Sequence, residues 1–225
     1  MNHVTADFIK QALEITNGLE VQTTKNCIYM DDFFKNFSVF QQLSDVQCFA
    51  PFNPDGALAH ETWKRRDVLD YRAVLHIKTQ PEFSFKIQRI IYDAFGVRTD
   101  PCENAFWTNL KWRHQMDYPI VGELPHKDPN EFVVVAHLSE PGATYVAEDN
   151  RGWDHEDAFA LVTGGNMTPE HTSKWFTLTD VVPAKLNRMT IFDGNKIHGA
   201  LFTDKEFVNE WRKIAVFFFR KCKQQ

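Results

Sequence analysis

Apolar and polar positions repeat along this chain with two different periods. From residue 4 to about 97 the spacing is helical. In TADFIKQALEI, Phe8, Ala12 and Leu13 fall on one face behind Thr5, whose hydroxyl suits a helix N-cap. In FSFKIQRIIYDAF, Phe85, Ile87, Ile90, Ile91 and Phe95 recur close to a helical period, and Gly96 stands where a glycine closes a helix. After RTDPCEN the pattern becomes one of short strands separated by turns: AFWTNLKWR, EFVVVAHLS, ATYVAE, WFTLTDVVPA, NRMTIFDG, HGALF and WRKIAVFFFRK. Strands this short and this regularly spaced predict a β-sandwich or jelly roll, a mainly β fold with N-terminal helices packed outside it. The interval 150–173, NRGWDHEDAFALVTGGNMTPEHTS, interrupts that run with little periodicity, and its length predicts a lid inserted between core strands.

Composition narrows the class. A chain of 225 residues with 43% hydrophobic residues can bury one sizeable core, so we expect a single domain over 1–225, with 1–97 a mainly helical scaffold and 98–225 the jelly roll. Net charge is −5 and the compact basic cluster Lys64-Arg65-Arg66 is better read as a solvated face, so duplex nucleic acid is not implied as a partner. Cys27, Cys48, Cys102 and Cys222 form no CxxC pair, and MNHVTADFIKQ has no apolar signal core; we expect a reduced, cytoplasmic protein without a structural zinc and with no membrane segment.

Candidate chemistry enters at GELPHKDPNEFVVVAHL. His126 and Asp128 stand two residues apart at the mouth of a strand, and i, i+2 spacing on a strand turns an imidazole and a carboxylate to the same side. His198 in FDGNKIHGALF begins a later strand and offers a third ligand across a barrel. Two histidines and one carboxylate on one face of an octahedron form the triad of non-haem Fe(II) oxygenases, leaving three positions open. His155 and Asp157 in GWDHEDAF have the same spacing and form an alternative pair. Placement favours His126 and Asp128, because several jelly-roll strands must fit between the pair and the distal histidine, and 128–198 leaves room that 157–198 does not.

The order LPHKD, then a strand, then PGATYVAED, NRMTIFDGNKIHGALF and EWRKIAVFFF resembles the double-stranded β-helix core of the Fe(II)/2-oxoglutarate-dependent dioxygenases, nearest to the prolyl 4-hydroxylase-like members, over roughly residues 105–221. The resemblance implies that His126, Asp128 and His198 bind Fe(II). It implies that a basic residue on the last strand, matched by Arg212, binds the far carboxylate of the cosubstrate 2-oxoglutarate. The neighbouring Lys213 competes for that role, because RKIAVFFF is apolar on both faces and its parity does not choose; the planar fork of arginine favours Arg212. The pattern departs from the family at Ile214, where Ser or Thr is frequent, and it leaves Asn109, Lys111 and Arg113 open as further cosubstrate contacts. The GAT at 142–144 resembles the small-residue turn and threonine after the second core strand.

The activity so implied couples decarboxylation of 2-oxoglutarate to succinate and CO₂ with hydroxylation of a C–H bond, by O₂, in a peptide side chain, an amino acid or a small metabolite. Asp128 occupies the position that a halogenating relative leaves to chloride, so hydroxylation is expected. Two other classes use the same fold: a cupin-like metal-binding protein that needs no 2-oxoglutarate, and a non-catalytic jelly-roll binding module. His114, His137 and His171 receive no role from the sequence.

Overall fold

A computed structural model of the chain describes residues 5–51, 68–75, 80–112, 126–149, 176–201 and 210–223, with the backbone alone over 50–51, 68–72, 74–75 and 102–112. The interval 150–173, the pair His155 and Asp157, Arg113 and Lys64-Arg65-Arg66 lie outside the described residues.

The described residues include three helices, each with an apolar face, and the sequence also marks the ends of the first and the third. In α1 (Ala6–Ala12) the Thr5 hydroxyl accepts the Phe8 N–H at 3.2 Å, satisfying a donor that a helix start otherwise leaves open. A second helix, α2, covers Phe37–Asp45 and buries Phe40 and Leu43. The longest, α3 (Pro81–Phe95), starts on a proline, which loses nothing by lacking an N–H there, and ends at Gly96 in the left-handed conformation (φ 68°), whose N–H bonds the Tyr92 carbonyl. The face that α3 buries carries Phe83, Ser84, Ile87 and Ile91; Phe85 points to solvent and is 69% exposed, against the inward position its spacing predicted. Phe85 and Ile87 are about 200° apart around a helix at 3.6 residues per turn, so they cannot share a face.

The expected helical scaffold also contains strands. β1 (Gln22–Thr23), β2 (Cys27–Met30), β3 (Ala50–Pro51) and β4 (Val68–Leu75) join β5 (Thr99–Trp112), β6 (Glu131–His137), β9 (Met189–Asp193) and β11 (Arg212–Lys221) in one antiparallel sheet. Its order is β1-β2-β9-β6-β11-β5-β4-β3. β7 (Ala143–Asp149), β8 (Phe176–Pro183) and β10 (Ile197–Leu201) form a second sheet in the order β10-β7-β8. Two antiparallel sheets with helices on one outer face form the jelly roll that the strand pattern predicted.

The large sheet lies between two apolar layers. Outward-facing Phe132, Val134 and Ala136 of β6 and Ala215, Phe217 and Phe219 of β11 pack with Phe40, Phe83, Ile87 and Ile91 of the helices. The alternate residues, Val133 and Val135 of β6 and Ile214, Val216 and Phe218 of β11, face the second sheet and meet Val146, Val182 and Phe192. A strand covered on both sides must be apolar at every position, which is why β6 and β11 read as continuous hydrophobic runs. The β8–β9 turn ties the N-terminal part to this core: the Asn187 side chain accepts the Phe34 N–H (2.8 Å) and donates to the Phe34 carbonyl (3.0 Å), and Arg188 pairs with Asp31 at 2.6 Å. No helix among the described residues is long and apolar enough to cross a membrane.

Candidate metal centre

Backbone hydrogen bonds join the segment leading into β6 to the start of β10. His126 and His198 form an isolated antiparallel bridge, each N–H donating to the other's carbonyl at 3.1 and 3.0 Å. This bridge brings the start of β10 beside the segment that leads into β6. Asp128 follows two residues after His126, and its N–H donates to the Gly194 carbonyl at 2.7 Å in the β9–β10 turn. Gly194 in turn donates to Glu131 at 2.8 Å. A Cβ at position 194 would sit 2.6 Å from the Asp128 carbonyl and 2.8 Å from that of Glu131, so glycine is required by close approach of backbone.

His126, Asp128 and His198 are thereby gathered with their ligand atoms within 4.8 Å of one another. Among the described residues this is the group of His, Cys, Asp and Glu side chains able to hold a metal ion. Asp128 Oδ2 lies 3.2 Å from His198 Nε2 and 3.9 Å from His126 Nε2. Neighbouring ligands bound about 2.1 Å from a shared ion stand about 3 Å apart. Asp128 and His198 already have that spacing, and His126, whose side chain is 39% exposed, has room to close the rest.

The ring of His198 is oriented for the task. Its Nδ1 is 2.9 Å from the Lys196 carbonyl, and a carbonyl only accepts, so Nδ1 carries a proton and Nε2 is the ring atom turned toward the Asp128 carboxylate, 3.2 Å away. An Nδ1–H held by a backbone carbonyl is the usual support of a metal-bound imidazole. The donor set, two imidazoles and one carboxylate, fits a divalent transition metal with open positions.

Beside these ligands lies a cavity of about 100 Å³. Its walls are apolar except for the triad, Thr144 and Arg212. Arg212 shares strand parity with Ile214, Val216 and Phe218, all of which line the cavity, and it is only 4% exposed. Lys213 points the opposite way, its ammonium 3.2 Å from Asp45 on the outer surface. Of the two basic residues that the sequence left in competition, the fold thus turns Arg212 to the cavity. Asn109 and Lys111 lie on β5, where Asn109 pairs with Lys213 in the ladder and Leu110 with Arg212.

One residue at the site has no precedent in the sequence reading. His137 ends β6 on the inward face that Val133 and Val135 begin, and it is 1% exposed. Burial first, then the nearby Arg212 and Arg188 guanidinium groups, push its pKa down to about 3, so the ring is neutral. Its Nε2 is 3.4 Å from the hydroxyl of Thr190, itself fully buried. Parity with the inward valines is the signal that marks it, but only once β6 is known to have two buried faces.

No family model matches the sequence, and no curated protein sequence matches it. Solved structures do match by shape. An oxidoreductase of the 2OG-Fe(II) oxygenase family from Burkholderia pseudomallei aligns over 87% of this chain and 84% of its own at 14% identity, with a TM-score of 0.50. The non-heme alpha-ketoglutarate-dependent epimerase SnoN from nogalamycin biosynthesis aligns over 87% of this chain and 78% of its own at 10% identity, with a TM-score of 0.54. HygX from Streptomyces hygroscopicus, solved with nickel and 2-oxoglutarate bound, aligns over 88% of this chain and 83% of its own at 8% identity, with a TM-score of 0.52. At such identities the likeness is one of fold: the chain has the double-stranded β-helix of the 2OG-Fe(II) oxygenases.

Proposed function

We propose that this protein is a non-haem Fe(II)- and 2-oxoglutarate-dependent oxygenase that hydroxylates a C–H bond of a peptide side chain, an amino acid or a small metabolite. The observation that carries this reading is the pairing of a two-histidine, one-carboxylate cluster with a buried arginine on the walls of one small apolar cavity. Solved proteins of this fold include one that holds nickel and 2-oxoglutarate, which agrees with the reading.

Each residue has a task that follows from its surroundings. His126, Asp128 and His198 would hold Fe(II) from one side, with Lys196 fixing the His198 tautomer through its carbonyl. Arg212 would receive the far carboxylate of 2-oxoglutarate with two parallel hydrogen bonds. Val133, Val135, Phe192, Ile214, Val216 and Phe218 exclude water around that contact, and the low local dielectric strengthens it. Thr144, on β7 of the facing small sheet, also lines the cavity and would add a neutral hydrogen-bonding group near the same anion. Bound in this way, the iron would supply the oxidising chemistry by which one O₂, one 2-oxoglutarate and one C–H become succinate, CO₂ and C–OH. Asp128 fills the third protein position with a carboxylate, which favours hydroxylation over halogenation.

Anaerobic protein loaded with Fe(II) and titrated with 2-oxoglutarate tests the reading. We expect the weak visible metal-to-ligand absorption to rise and saturate. Metal uptake with no response to 2-oxoglutarate would put a cupin-like metal protein in its place, and no metal uptake a binding module.

A further inference from the structure

We propose that Lys221, the last residue of β11, is a positioning residue for the metal centre: it clips together the two segments that carry the three ligands. The inference rests on the reading of His126, Asp128 and His198 as a metal centre and extends it to a residue outside that cluster.

Both ligand segments reach the end of β11. Asn130, two residues after Asp128, accepts the Lys221 N–H at its carbonyl (2.8 Å) and gives its own N–H to the Asn195 side chain (3.0 Å), in the turn that leads to His198. That turn is held in its own right by the Lys221 side chain. The ammonium donates to Asp193 Oδ1 at 2.5 Å, and the same oxygen accepts the Asn195 N–H at 2.9 Å. Asp193 is thus fixed at the end of β9, one residue before Gly194, whose carbonyl holds the Asp128 N–H, and three before Lys196, whose carbonyl holds His198 Nδ1. The main chain of Lys221 therefore secures the Asp128 segment, and its side chain secures the His198 segment.

An ordinary surface ion pair is too exposed to hold anything in place. The Lys10–Glu82 pair is of that kind, with side chains 64% and 73% exposed. The side chains of Lys221 and Asp193 are 19% and 32% exposed, and the ammonium lies 5.0 Å from the centre of the buried Phe132 ring. Phe132 pairs with Asp193 in one ladder and with Phe219 in the other, so its ring is the floor on which the ends of β9 and β11 meet. An ammonium set against an aromatic face and a carboxylate at once is attracted by both. Its charge supplies a test. A cation near a metal centre weakens metal binding through space, whereas a clip strengthens it by holding the ligands in register, so field and position act with opposite signs.

The experiment titrates metal-free protein with Co(II) and records thermal melting beside it. Lys221→Met keeps the backbone N–H and the apolar stem and removes the ammonium. We expect Co(II) to bind about tenfold more weakly, the lower end of what supporting contacts around a metal contribute. Lys221→Arg, which keeps a charged donor for Asp193, should recover most of the loss. Arg220→Met removes the same charge one residue earlier, from a pair with Glu131 in which the arginine is 70% exposed, and should leave Co(II) affinity at or slightly above wild type. Folded Lys221→Met protein that binds Co(II) as tightly as wild type, or more tightly, overturns the inference whatever its melting temperature. A loss in Arg220→Met equal to that in Lys221→Met overturns it as well, because the contact with Asp193 would then not be its source. If Lys221→Met does not fold, Lys221→Gln, whose shorter side chain falls short of Asp193, carries the decision on the same outcomes. Co(II) affinity that Asp128→Ala leaves unchanged instead removes the reading of the metal centre on which the inference rests.

Discussion

Asp128 is the residue on which the metal assignment turns, because it is the only anionic member of the cluster and stands between both imidazoles. Asp128→Ala should abolish succinate formation from 2-oxoglutarate while leaving the melting curve of the metal-free protein nearly unchanged; succinate produced at the wild-type rate would remove Asp128 from the site. Arg212 and Lys213 give a matched pair of tests. Arg212→Ala leaves a buried carboxylate without its partner, a loss of about 2–5 kcal/mol, so 2-oxoglutarate affinity should fall by roughly 30-fold or more. Lys213→Ala removes only an exposed pair with Asp45 and should leave that affinity alone. His137 predicts a pH dependence of its own. The folded protein keeps this ring neutral down to about pH 3, whereas the unfolded chain binds a proton near pH 6.5. Between those values the unfolded state holds more protons, so stability falls as pH drops through 6.5 toward 3. At pH 5 the loss from this residue is about 2 kcal/mol. Denaturant unfolding of the metal-free protein at pH 7.5 and 5.0 should show this difference in wild type and lose it in His137→Gln.

The β9–β10 turn is the element that assembles the site. Within four residues it presents the Gly194 carbonyl to Asp128, the Lys196 carbonyl to His198 and the Asn195 side chain to the Asn130 N–H. Asp193 braces the turn from below by accepting from the Asn195 N–H at 2.9 Å and from Lys221. Gly194→Ala drives a Cβ into two backbone carbonyls that have no rotamer with which to yield. The segment carrying Asp128 must shift, and metal affinity measured with Co(II) should drop by about tenfold or more, on the scale of losing a supporting contact around a metal. Thr5→Ala at the start of α1 is the contrasting change: it removes one cap, costs about 1 kcal/mol of stability, and should leave Co(II) affinity as it was. Helices α1 and α3 were legible in the sequence because each joins an apolar face to a capping residue. β2 and β4 were not. CIYM is too short to establish a period, and the pairing of β2 with β9 that makes it a strand lies more than 150 residues away in sequence.

At the scale of the whole molecule, the three ligands come from segments attached to different sheets. His126 and Asp128 lead into the large sheet, and His198 begins the outer strand of the small one. An ion held by all three ties the sheets together, and because it binds the folded chain alone it should stabilise by about 2.7 kcal/mol at 100 times its Kd. We expect Co(II) to raise the melting temperature of wild-type protein, a chelator to reverse the rise, and Asp128→Ala to show no rise at all. A shift of equal size in Asp128→Ala would mean that the ion binds elsewhere.

By itself the sequence determined helices α1 and α3, the strands of the C-terminal half with their jelly-roll class, and the ligand candidates, because these depend on local periodicity and on the spacing of a few histidine and carboxylate residues. HxD at a strand mouth and a histidine at the start of a later strand are visible without coordinates. Tertiary structure alone decided what β11 does with Arg212 and Lys213, the two basic residues at its start. The middle of the strand, Ile214–Phe219, lies between two apolar layers, so it is hydrophobic on both faces and its alternation carries no information about the residues before it; only the fold shows that Arg212 faces the cavity and Lys213 the surface. The same holds for His137, which in one dimension is a polar residue ending an apolar run. Its neighbours Arg212 and Thr190 are brought to it by pairings across β6, β9 and β11, and no local pattern encodes contacts made at that sequence separation.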